Sequence, residues 1–344
     1  MLYFSSQNRR IFYTAKDRSE RISAEIRKIP DPLLQNGTEY DTIRINPKIS
    51  NRKELLIMNS LTDTYVLSNG VKVPCLGYGT WQTPDGDTAD AVKAAIENGY
   101  RHIDTAFAYG NEAGVGQGIK ASGIARDELF VTSKHWVTER GYDKTVAAVE
   151  TSLNLLGLDY LDLYLVHWPC VEKISENWEE INAETWRGFE KMYKDGKIRA
   201  IGVSNYQPKH LASLFKNCTV RPMVNQLEFH PGYTQMDTVR WSMEQGMLVE
   251  AWSPLGSGAV LQDALLNEIA AKYGKSAAQL CVRFALQNNI LPLPKSTKPQ
   301  RMVDNADVFD FEISAEDMQA LFAMPTLGFS GFLPEDAPAD ALCE

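Results

Sequence analysis

Asp104 closes a short apolar run at residues 102–105, and Tyr109 follows five residues on. Lys134 closes the next run at 129–133, and His167 closes the one after it, at 161–166. These four types can deliver a proton together. A free tyrosine has a pKa of about 10 and is a poor acid at neutral pH. A nearby ammonium favours the phenolate and lowers that value. Lys134 is the candidate ammonium, Asp104 its counter-ion, and His167 a group to orient a substrate oxygen. The set therefore suits a carbonyl oxygen that becomes an alkoxide. Each residue alone has a plainer reading: a helix cap for the aspartate, a solvated lysine, a structural histidine. Complementary residues on three adjacent run ends favour chemistry.

Further polar groups fall at corresponding places. Ser204 and Asn205 follow the run at 198–203, and Gln226 lies late in 223–227. Trp252 and Ser253 follow 248–251, while Lys295 and Ser296 follow 290–293. Leu293-Pro294-Lys295-Ser296-Thr297-Lys298-Pro299-Gln300-Arg301 sets cations and hydroxyls ahead of a predicted helix, a pattern that holds phosphate. Its plainer reading is a basic loop. Trp252 offers a flat face to a planar ring. No Ser–His nucleophile pair and no metal cage is evident. His102 and Asp104 share a strand face, but no third ligand accompanies them, so no metal is expected.

These residues need a scaffold that gathers strand ends. Tyr65 to Val73 reads as a β-hairpin turning at Asn69-Gly70, which supplies positive φ. Eight short apolar runs follow, the first at 75–79. Amphipathic helices are expected between them, at 87–98, 142–156, 178–195 and 276–287. Gly99, Gly157, Gly196 and Gly246 stand where helices should end. Alternating β and α units imply a parallel sheet. Eight units in about 250 residues match a (β/α)8 TIM barrel, which gathers its chemistry at the strand C-termini. A doubly wound sheet is the competing fold, but Gly77-Tyr78-Gly79 lacks the third glycine of a dinucleotide fingerprint.

The chain has 344 residues and a formal net charge of −9, which argues against nucleic acid as main partner. It has no apolar run near membrane-spanning length and no signal-peptide order at its start, so no membrane partner is expected. Its five cysteines are scattered without a CxxC pair, and a reducing cytoplasm is the expected compartment. Residues 1–57 stand apart. They carry net +4, leaving −13 for the rest, and contain one glycine, Gly37. They read as a basic arm, as an unfolded tail, or as translated upstream sequence with Met58 the natural start. The expected division is an extension at 1–57 and a barrel at 58–344.

The motifs resemble the aldo-keto reductase superfamily over residues 62–335. They are Gly99-Tyr100-Arg101-His102-Ile103-Asp104-Thr105-Ala106 with Tyr109-Gly110-Asn111-Glu112, and Leu163-Tyr164-Leu165-Val166-His167-Trp168-Pro169. Ile201-Gly202-Val203-Ser204-Asn205 and Pro294-Lys295-Ser296 follow. Ala251-Trp252-Ser253-Pro254-Leu255 and Asp307-Val308-Phe309-Asp310-Phe311 are most similar to bacterial 2,5-diketogluconate and glyoxal or methylglyoxal reductases.

The resemblance implies an NADPH-dependent oxidoreductase that reduces small aldehydes, ketones and α-dicarbonyls, working as a monomer or weak homodimer. It implies that Asp104, Tyr109, Lys134 and His167 form the catalytic tetrad, with Tyr109 the general acid. Ser204, Asn205 and Gln226 would hold the nicotinamide carboxamide, and Trp252 would stack on its ring. Thr80, Trp81 and Asp104 would also border the cofactor. Ser253 and Leu255 would strap the pyrophosphate. Lys295, Ser296 and Arg301 would take the 2′-phosphate, which favours NADPH over NADH. Asp304 and Asn305 would meet the adenine, although the family more often carries glutamate at the first. Trp81, Trp136, His167 and Trp168 would line the substrate pocket. The superfamily also includes lens proteins and cofactor-sensing channel subunits, and a sensing or structural barrel is the alternative. The complete tetrad favours an enzyme.

Overall fold

A computed structural model describes residues 57–329 and 331–336. The three readings of the first 57 residues, a basic arm, an unfolded tail or translated upstream sequence, thus fall, except for Ile57, outside the described residues. Strands β1 (Thr64–Val66) and β2 (Lys72–Pro74) pair antiparallel, Tyr65 opposite Val73. Only Gly70 of the expected Asn69-Gly70 pair takes a positive φ, +86°. Asn69 works through its side chain instead. Its Oδ1 accepts from Val71 N and its Nδ2 donates to Arg199 O. The second bond ties the hairpin to the start of a barrel strand, on the side away from the strand C-termini.

Eight parallel strands follow: β3 (Tyr78–Gly79), β4 (His102–Asp104), β5 (Phe130–His135), β6 (Leu163–Val166), β7 (Ile201–Ser204), β8 (Val224–Glu228), β9 (Leu248–Trp252) and β10 (Ile290–Pro292). They lie side by side in sequence order. Gly77 N donates to Pro292 O and Gly79 N to Pro294 O, both at 3.1 Å, and these bonds close β3 onto the β10 end. The expected barrel is therefore the observed one. A Cβ on Gly79 would stand 3.1 Å from Leu293 O, and one on Gly77 would stand 2.8 Å from His102 Nδ1. The two glycines thus serve the barrel seam and not a nucleotide turn.

Helices wrap the sheet where apolar residues recur every three or four positions. Tyr142–Leu156 buries Val149, Leu153 and Leu156, and ends at Gly157 with φ +66°. Trp178–Lys194 buries Trp186, Phe189 and Met192. Each such side chain contributes about 1.5–3 kcal/mol when fully buried. Ser276 and Gln279 cap Ala277–Gln287 reciprocally. The helix Glu112–Ser122 was not legible, because Gly114, Gly116 and Gly118 depress its propensity. Packing explains them: a Cβ on Gly116 would stand 2.2 Å from Leu156 O, and one on Gly118 2.5 Å from Ala89 O. Among the described residues no helix is long and apolar enough to cross a membrane.

Candidate active site

The strand C-termini bring the four proposed catalytic side chains together. Asp104 is the last residue of β4, while Lys134 lies inside β5, which runs on to His135. Tyr109 sits on a single turn of 3-10 helix, Phe107–Tyr109, that follows β4. Lys134 Nζ donates to Asp104 Oδ1 at 2.6 Å, to Thr105 O at 3.0 Å and to Tyr109 Oη at 3.3 Å. An ammonium has no lone pair, so the Tyr109 oxygen must accept this bond. Its own proton is left free to point elsewhere. The His167 ring stands edge-on to Tyr109 and to Trp136, with centroids 5.7 and 5.2 Å away.

The electrostatics differ from the simple expectation at Tyr109. Burial raises the phenol above its ordinary value, and the Lys134 charge only partly offsets this. Removing a phenolate from water costs more than one shared ammonium returns. The expectation of a lowered value is thus corrected: the phenol keeps its proton. Burial also works against the Lys134 ammonium, but the Asp104 charge and the hydrogen bonds that Asp104 and Tyr109 accept outweigh it and hold the lysine above its ordinary range. Burial, then the Lys134 charge, push His167 well below ordinary, so its imidazole is neutral at neutral pH. A neutral imidazole is a poor acid, and Tyr109 is left as the better-placed proton donor.

The expected cofactor residues form a second group beside the first. Asn205 takes φ +63°, a conformation asparagine tolerates better than most residues. Its Nδ2 donates to His167 O and Ser204 Oγ, and its Oδ1 accepts from Trp252 Nε1 at 3.0 Å. Gln226 Nε2 donates to Asp104 Oδ2 at 2.9 Å. Buried Thr80 donates its hydroxyl to Asp104 O, whereas Trp81 is exposed. Ser253 Oγ meets Ser257 Oγ and accepts from Ser257 N, shaping a loop in which Leu255 is half-buried.

On the far side, Lys295 Nζ donates to Gln82 O at 3.0 Å. Burial lowers its pKa, and no acidic group among the described residues is paired with it. Ser296 Oγ accepts from Lys298 N, shaping the turn before Pro299–Ala306. Arg301 stands exposed on that helix. Asp304 accepts from Gln300 Nε2, and Asn305 is buried. Trp168 packs against Phe332 at 5.3 Å, so the C-terminal segment reaches the aromatic wall that Trp136 shares.

Sequence reasoning missed Phe332, whose role depends on a loop returning across the mouth. It also missed Glu250, buried beside Gln226 with Oε2 2.8 Å from Gln226 Nε2. A signal was present: a carboxylate in the middle of the apolar run at 248–251.

A (β/α)8 barrel with a Tyr–Lys–Asp–His cluster at its mouth defines the class of barrel oxidoreductases. The profile of the Aldo/keto reductase family matches residues 75–324. The chain belongs to this family.

It is 52% identical over 266 residues to glyoxal reductase of Bacillus subtilis, covering 77% of this chain and 94% of that protein. It is 47% identical over 268 residues to 9,11-endoperoxide prostaglandin H2 reductase of Trypanosoma cruzi, covering 77% and 92%. Among solved structures, an aldo-keto reductase of Bombyx mori in complex with NADP matches with a TM-score of 0.71 at 35% identity, covering 77% of this chain and 98% of that one.

Proposed function

We propose that this protein reduces small aldehydes and ketones, α-dicarbonyls included, to alcohols with NADPH, and that Tyr109 gives its proton to the carbonyl oxygen. One observation carries the reading: Lys134 Nζ donates both to Asp104 Oδ1 and to Tyr109 Oη, which aims the phenol proton away from the cluster. The glyoxal reductase and NADP-bound relatives support the substrate class and the cofactor.

The residues present fit that cofactor. Lys295 is a partly desolvated ammonium with no acidic partner among the described residues, a group that a phosphate would satisfy. Lys295, Ser296 and Arg301 would take the 2′-phosphate, and Ser253 and Leu255 the pyrophosphate. Asp304 and Asn305 would meet the adenine. Ser204, Asn205 and Gln226 would hold the carboxamide, with Trp252, Thr80 and Trp81 around the ring. When bound, NADPH supplies the hydride that the carbonyl carbon receives.

The chain's own groups do the rest. Neutral His167 orients the carbonyl oxygen. Tyr109 transfers its proton to that oxygen as negative charge develops there. Lys134 stabilises the phenolate left behind, and Asp104 keeps the lysine charged and aimed. Solvent then reprotonates Tyr109. Trp136, Trp168 and Phe332 give the mouth apolar walls, which suit compact carbonyls. We place this activity in the cytoplasm, where the unbridged thiols of buried Cys75 and Cys281 would remain reduced, and expect a monomer or weak homodimer.

The test is NADPH absorbance on adding methylglyoxal or benzaldehyde. Carbonyl-dependent oxidation is expected. NADPH binding without turnover on a broad aldehyde and ketone panel would instead favour a sensing barrel.

A further inference from the structure

The buried polar chain continues past Asp104. Gln226 Nε2 lies 2.9 Å from Asp104 Oδ2 and 2.8 Å from Glu250 Oε2. Glu250 sits in the middle of β9, in register with Gln226 of β8 on one side and Leu291 of β10 on the other. It is fully buried, and its Oε1 has no hydrogen-bond partner among the described residues. Burying such a group is costly. Lys134 does not repay that cost, because its ammonium donates to Asp104, Thr105 and Tyr109.

The geometry determines which way the Gln226 amide faces. Its nitrogen carries two hydrogens, and each goes to one carboxyl oxygen. The reversed amide would set its oxygen against the Asp104 carboxylate, which has no hydrogen to give. Gln226 Oε1 is therefore turned away from them and left as the acceptor for another amide.

We propose that Glu250 is a positioning residue for carbonyl reduction: through Gln226 it sets the amide that meets the nicotinamide and steadies the Asp104 carboxylate that holds Lys134 beside Tyr109. The inference rests on the reductase reading of the same site.

Burial, then the Asp104 charge, push Glu250 up to about 8. At neutral pH it is mostly the uncharged acid. The charged groups that bear on it are Asp104 of β4 and Lys134 of β5, while Gln226 of β8 is neutral and β10 presents Leu291. Ionisation puts a second anion beside Asp104. The phenolate that proton transfer must leave behind is then harder to form, so reduction slows.

Glu250→Gln and Glu250→Leu test this. The glutamine still accepts from Gln226 and cannot ionise, whereas the leucine offers no acceptor. Wild-type kcat should fall several-fold as pH rises through about 8, and the glutamine variant should lack that step. The leucine variant should bind NADPH about tenfold more weakly by fluorescence titration, with most of the loss recovered by glutamine. Infrared spectra of the protein alone at neutral pH should show a protonated-carboxyl band that Glu250→Gln removes.

Superimposable pH profiles for wild type and Glu250→Gln, or the absence of that band, would overturn the proposal. So would unchanged NADPH affinity in a folded Glu250→Leu. If the leucine variant does not fold, the glutamine comparison decides alone. A wild type that turns over no carbonyl would defeat the reductase reading instead, while the infrared band and the NADPH titration still report on Glu250.

Discussion

Lys134 Nζ lies 2.6 Å from Asp104 Oδ1, and both side chains are buried at the end of the barrel. Removing one partner leaves a charge without compensation in a dry place. Lys134→Met or Asp104→Asn should each destabilise the fold by about 3–5 kcal/mol. The double variant should lose less than the sum. Urea denaturation of the four proteins measures this coupling, and strictly additive losses would show that the pair does not act as a unit.

Tyr109→Phe removes the hydroxyl, and with it the proton to be given, and leaves the ring. Turnover should fall by about 10²–10⁴-fold, with NADPH affinity nearly unchanged. Stopped-flow absorbance and fluorescence titration separate the two quantities. Undiminished turnover would remove Tyr109 as the acid.

Arg301→Ala removes an exposed cation from the helix Pro299–Ala306. NADPH should bind much more weakly and NADH nearly as before, because only NADPH carries the 2′-phosphate. Equal losses for both would contradict the assigned phosphate site.

Glu250 also makes stability depend on pH. Its folded value of about 8 stands above the ordinary 4.5, so the folded protein keeps this proton longer than the unfolded chain does. Stability should therefore fall as pH rises from about 4.5 to about 8. At pH 7 the penalty is up to about 3 kcal/mol. Glu250→Gln should melt at a higher temperature than the wild type near pH 8, with the difference fading toward pH 5. Parallel melting curves across that range would contradict the assignment.

Much of this was legible in the chain. Helix Tyr142–Leu156 has the bounds its pattern predicts, because its apolar stripe and Gly157 are local signals. Asp104, Lys134 and His167 were found because polar residues at the ends of apolar runs need only strand spacing to be recognised. The helix Glu112–Ser122 was hidden because close packing against its neighbours, and not propensity, explains its glycines.

The order and type of the sequence determined the alternation of strands and helices, and with it the set of residues at the barrel mouth. Local periodicity decides which face of an element is buried. Tertiary structure alone decided that Gly77 and Gly79 serve the closing seam, that Phe332 returns to Trp168, and that Glu250 reaches Asp104 through Gln226. It also reversed the expected shift at Tyr109. A pKa sums desolvation and charge over distances in space, and those distances exist only once the eight strands have closed.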